Sequence, residues 1–204
     1  MIGITETEIT QGDLDYYEKQ VYHDKTNNWI REAIGLSLLE KNYYSGNIIT
    51  DMNMQLHYGD IVITNIVGCS NYYVDIKHSY NNNLFVDIAY YTDDLKRNEY
   101  IQKNTNDNKG WLYHLDSCDC LLLIDNSKQF FYLIYDWQIA RLRLITLANT
   151  HSFGKRIPSC IKQITTNDKY CNKYTDSFLL DLNAYDIERY LGVEIYKDKY
   201  TIID

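Results

Sequence analysis

Two short runs, Tyr58-Gly59-Asp60-Ile61-Val62-Ile63-Thr64 and Tyr72-Tyr73-Val74-Asp75-Ile76-Lys77, are dominated by β-branched and aromatic residues. Asn65, Gly68, Ser70 and Asn71 supply turn chemistry between them, so the pattern predicts a β-hairpin. The two-residue period of the second run sets Tyr73, Asp75 and Lys77 on one face and Tyr72, Val74 and Ile76 on the other. Pairing the strands brings Asp60, at the start of the first, beside Asp75 and Lys77.

The rest of the chain is arranged around that hairpin. Residues 1–11 read as a loose leader, Asp13–Tyr22 as a modest helix, and a stronger helix is expected from an N-cap at Thr26 or Asn27 to Lys41. Ile48–His57 is expected to be a strand leading into the hairpin. A polar turn after Lys77 precedes a third strand, Leu84–Tyr91, and residues 92–109 form a charged loop. Gly110-Trp111-Leu112-Tyr113 restarts order, followed by strands Cys118–Asp125 and Gln129–Asp136 and a helix over Trp137–Leu147. A strand over Tyr174–Leu182, a short helix from Asn183 to Gly192 and a strand-like Val193–Ile203 complete the chain. A helix, then a strand meander, then alternating helix and strand is an α/β or α+β pattern. At 204 residues and 45% hydrophobic content, one domain with a sizeable core is expected.

Adjacent carboxylates repel unless a shared proton or a divalent cation compensates them. Mg²⁺ suits Asp60 and Asp75, since it takes one or two carboxylates and completes its octahedron with water and substrate phosphate; Mn²⁺ is the natural substitute. The Ile76 carbonyl would add a backbone ligand. Lys77 would hold a phosphate oxygen or the attacking water, which outlines a metal-assisted phosphodiesterase. The competing reading is a solvated Asp–Lys pair on an exposed strand.

Net charge is −8 and the isoelectric point about 5.1, which argues against bulk electrostatic affinity for nucleic acid. The basic residues are nevertheless clustered: no Asp or Glu lies between Trp137 and Asn167, where Arg141, Arg143, Lys155, Arg156 and Lys162 occur. That segment is a candidate phosphate-binding surface, or an ordinary basic face. The five cysteines, an odd number, and the absence of a signal-like N-terminus read as free thiols in a reducing cytoplasm. His114, Cys118 and Cys120 match no standard zinc spacing, so buried thiols are expected. No apolar run is long enough to span a membrane.

Asp60, fourteen residues and then Asp75-Ile76-Lys77 resemble the signature of the PD-(D/E)XK nuclease superfamily, phage-type members in particular. The phrases Met54–Ile61 and Gly110–Tyr113 add to the likeness, which covers about residues 26–140. Gly59 stands where the family has proline, and Asp75 begins the triplet in a form the family permits. The resemblance implies a restriction-endonuclease-like core, a mixed central sheet flanked by helices, in one domain over 1–204 with the basic segment and a C-terminal strand-helix-strand in 141–204. It implies a Mg²⁺-dependent endonuclease in which Asp60 and Asp75 bind metal, Lys77 orients or activates water, and Arg141 to Lys162 hold DNA phosphates. Glu32, Gln55 and Asp87 are auxiliary candidates, each with a plain surface or salt-bridge alternative. A double-strand cutter would need a homodimer, and a phage-encoded enzyme would act in the host cytoplasm. Two alternatives stand beside it: a binding or structural module keeping the nuclease-like fold with a weak or dead site, and a nuclease toxin acting on RNA.

Overall fold

The structure, a computed structural model, describes residues 3–21, 29–42, 46–64, 71–91, 109–151, 156–168 and 173–204. The expected N-cap at Thr26 or Asn27, the turn over 65–70, the loop over 92–108, Lys155, Cys69 and Cys171 lie outside the described residues. In chain order come β1 (Glu8–Thr10), α1 (Gln11–Val21), α2 (Trp29–Asn42), β2 (Gly46–Ile48), α3 (Met52–Tyr58), β3 (Ile61–Thr64), β4 (Asn71–Tyr80) and β5 (Asn83–Tyr91). A short 3₁₀ turn at Trp111–Tyr113 precedes β6 (Cys120–Asp125), β7 (Phe130–Ile134) and α4 (Trp137–His151). β8 (Ile161–Asp168), β9 (Lys173–Asp181), α5 (Ile187–Leu191), β10 (Ile195–Lys199) and β11 (Thr201–Ile203) follow. This is a mixed α and β fold whose strands pair mostly antiparallel.

The chain divides into two compact units, both discontinuous in sequence. The first comprises residues 1–81, 117–137 and 194–204. Its sheet runs β2-β3-β4-β6-β7-β10, antiparallel throughout except where β4 and β6 lie parallel, Val74 to His78 against Cys120 to Ile124. Every residue of β6 is buried, as expected for a strand covered on both faces. Helix α2 covers one face with Ala33, Ile34, Leu38 and Leu39 against Ile61, Val74, Ile76, Leu122 and Leu133. The second unit comprises residues 82–116 and 138–193 and contains the antiparallel sheet β5-β9-β8, most of α4, and α5.

Several expectations are corrected. The strand expected over Ile48–His57 is β2 followed by α3: Asp51 accepts from the amides of Asn53 (2.9 Å) and Met54 (3.0 Å), and such an N-cap starts a helix. The Met-Asn-Met-Gln-Leu-His run holds no β-branched residue to oppose it. The loose leader is ordered from Gly3 onward, with Ile4 and Ile9 in the core and β1 paired parallel to β11. The polar turn after Lys77 is shorter than expected, because β4 continues to Tyr80 and only Asn81 and Asn82 turn, both at positive φ (52° and 63°). Strand β8 had no counterpart among the sequence expectations.

Candidate active site

The two runs pair antiparallel as expected, with Ile61 opposite Val74 and Ile63 opposite Tyr72, so Asp60 follows opposite Asp75. Asp60 is pinned by its own backbone: its amide donates to Val74 O (3.1 Å), and its carbonyl accepts from the Ile49 amide (2.8 Å). Its Oδ2 accepts the Ile76 amide at 2.8 Å, which aims the side chain across the strand end. Alternation along β4 turns the Ile76 carbonyl to the same edge as its amide, the edge where Asp60 stands.

Lys77 reaches back two residues on its own face, Nζ to Asp75 Oδ2 at 2.6 Å. The Asp75 side chain is only 3% exposed, so the solvated-pair reading does not describe it. Cys118 lies close beside it, and burial followed by the Asp75 charge pushes that thiol well above its ordinary range.

Gly59 explains the departure from proline. Its φ is +97°, a region proline cannot enter, and a Cβ there would stand 2.7 Å from Asp75 Cβ and 2.9 Å from its backbone. The glycine lets α3 end and the chain graze Asp75 before Asp60 is delivered to it. Tyr58 and Tyr73 close the same corner with ring centroids 4.4 Å apart.

Electrostatics set the two acids apart. Although Asp60 keeps some exposure, the density of protein around its carboxylate raises its pKa from 3.8 to about 7, with the Asp75 charge the next cause and Glu32 a smaller one. Lys77 and the Ile76 amide oppose the rise without cancelling it. For Lys77, burial disfavours the ammonium, but Asp75 and then Asp60 outweigh it and raise its pKa. Two carboxylates against one ammonium leave a net negative charge in a dense corner. Two carboxylates and a carbonyl fit a divalent cation whose shell is completed by water and a phosphate oxygen. Among the described residues, no group of three or more His, Cys, Asp or Glu side chains converges.

The remaining candidates are distributed as follows. Glu32, in the first turn of α2, lies near enough to act on Asp60 and pairs with Arg31 at 3.3 Å. Arg31 in turn acts on Lys77, a neighbour with no signal in the sequence pattern. Gln55 sits on α3 and donates its side-chain amide to the Ile49 carbonyl, which holds the segment leading into β3. Asp87 belongs to the second unit, its two oxygens taken by the hydroxyls of Tyr90 (2.8 Å) and Ser177 (2.7 Å). Arg141, a candidate phosphate contact, donates to the carbonyls of Leu112 (2.8 Å) and Tyr113 (2.9 Å); Arg143 donates to those of Arg189 (3.1 Å) and Tyr190 (2.6 Å). Arg156 and Lys162 are exposed. Cys118, Cys120 and Cys160 are buried thiols with no disulfide among the described residues, and His114 is in the second unit beside the Lys109 carbonyl. No described helix is long and apolar enough to cross a membrane.

Compared with protein-family models, with curated proteins and with solved structures, the chain finds no match in any of the three.

Proposed function

We propose that the chain is a metal-dependent endonuclease that hydrolyses DNA phosphodiester bonds, built on a restriction-endonuclease-like core. The observation that carries the reading is the convergence of Asp60, Asp75 and Lys77 at one hairpin end, with the lysine 2.6 Å from one acid. Asp60, Asp75 and the Ile76 carbonyl would hold Mg²⁺ or Mn²⁺. Such an ion, when bound, lowers the pKa of a coordinated water and stabilises charge on a phosphoryl transition state.

The chain's own residues supply the rest. Lys77, kept protonated by its two acids, is not a base at neutral pH; it orients the water or holds a phosphate oxygen as a fixed positive charge. Asp60 must lose a proton that its surroundings retain up to about pH 7, so the site is best prepared on the alkaline side of neutrality. Glu32 adds negative charge from α2.

One observation favours the second reading, a binding module with a weak or dead site: Lys77 closes directly on Asp75, and no third ligand side chain converges among the described residues. Cleavage of supercoiled plasmid and of single-stranded DNA with Mg²⁺ or Mn²⁺ separates the two. Metal-dependent cutting that disappears in Asp75→Ala and in Lys77→Ala supports the nuclease. No cutting by the parent, with no effect of either metal on its melting temperature, supports the module.

A further inference from the structure

We propose that a groove of about 700 Å³ in the second unit binds single-stranded nucleic acid through an exposed tyrosine and the three arginines that line it. Its walls come from distant stretches of chain, Arg143 on α4 and Arg156 after it, then Tyr185, Asp186, Arg189 and Tyr190 around α5. Three arginines and one aspartate line it, in a chain whose net charge is −8. Positive charge held in one groove of an acidic protein is complementary to a polyanion.

The groove is built rather than incidental. Arg143 is fixed by the carbonyls of Arg189 and Tyr190, and Gly192 makes room for it, since a Cβ at Gly192 would stand 2.4 Å from the guanidinium carbon. One of the groove's three arginines is therefore held in place. Tyr185 is 97% exposed and stands on a turn tied by the Ile187 amide to the Ala184 carbonyl at 3.1 Å. Such a ring gains most from a flat partner, and an unpaired base offers one while its flanking phosphates meet the arginines. In a duplex the base faces are already stacked, which leaves Tyr185 uncovered. An acidic peptide would likewise use the arginines and leave the ring in water.

The test is fluorescence anisotropy with labelled oligo(dT), oligo(U) and a blunt duplex, each about 15 nucleotides, near the upper span of such a site. The protein carries Asp75→Asn, so that hydrolysis does not consume the probe. Expected are tighter binding of single strands than of duplex, a loss of about tenfold on adding Tyr185→Ala, and a salt slope reduced by about 1.4 on adding Arg156→Ala with Arg189→Ala. The two single-stranded probes decide between DNA and RNA as the source. Preference for duplex, or variants that bind as tightly as their parent, overturns the proposal. It does not rest on hydrolysis: absent cleavage with this binding intact sinks only the nuclease reading, and cleavage with groove variants unaffected sinks only the groove.

Discussion

At the scale of single residues, Asp60 is the most informative group. Its pKa in the folded chain, about 7, lies above the ordinary 3.8, so the folded state holds more protons across that interval. Stability is therefore fully present at the acid end and falls as pH rises through the interval toward 7. Asp60→Asn is expected to raise the melting temperature more at pH 8 than at pH 5, which thermal unfolding at the two values checks. The same linkage gives the metal a signature independent of turnover. On the proposed reading Mg²⁺ would displace the Asp60 proton, so it is expected to raise the melting temperature more at pH 8 than at pH 5; equal shifts would remove Asp60 from the proposed ligand set. Lys77→Met leaves Asp75, 3% exposed, without its ammonium. The expected loss in urea unfolding is about 3 kcal/mol, the low end for breaking a buried pair because Lys77 itself is partly exposed.

At the scale of elements, two glycines set how closely the chain approaches β4. A Cβ at Gly35 on α2 would stand 2.7 Å from Ile76 Cδ1 and 3.2 Å from its two γ carbons. Gly35→Ala is therefore expected to destabilise the parent despite the gain in helix propensity, about 1 kcal/mol. In an Ile76→Val background the nearest atom is gone, and the same substitution should approach neutrality; a double-mutant cycle by urea unfolding reads that coupling. At Gly59 the obstacle is the backbone of Asp75, which cannot move aside as an isoleucine tip can. Gly59→Ala should cost about 2 kcal/mol whatever β4 carries, from the positive φ and the close approach together. It should also abolish any metal-dependent shift in melting temperature, since Asp75 must be displaced.

At the scale of the molecule, the unit that carries the site is assembled from three separate segments. The last of them matters most for its size: β10 pairs with β7 over five residues, β11 with β1, and Tyr200 between them is 1% exposed. A chain ending at Val193 would leave the β7 edge unpaired and the Tyr200 cavity open. We expect a loss of at least about 3 kcal/mol in urea unfolding, from that cavity alone, with a tendency to associate through the bare edge. An unchanged urea midpoint would show that the first unit stands without this segment. The second unit has a different logic: the basic segment beyond Trp137 is not a uniform surface, because Arg141 and Arg143 are engaged by backbone carbonyls while Arg156 shares a groove with Arg189.

What the sequence determined on its own was local. β-Branched and aromatic runs made β3, β4 and β7 legible, a continuous apolar run made β6 legible, helical spacing made α2 legible, and a two-residue period was enough to put Asp75 and Lys77 on one face. Antiparallel pairing of β3 and β4 then brought Asp60 alongside, opposite Asp75. A cap overrode the expected strand after β2, since one Asp51 carboxylate satisfies two amides that a strand would have paired otherwise. The rest was decided by contacts between residues far apart in the chain. Only the packed structure buries Asp75, sets the proton affinity of Asp60, brings Arg31 and Glu32 up to the site and requires glycine at position 59. Only packing spends Arg141 and Arg143 on carbonyls and gathers Arg143, Arg156 and Arg189 in one groove with Tyr185. The physical reason is common to all of these: desolvation, close approach and charge proximity depend on distance in space, which no periodicity along the chain encodes.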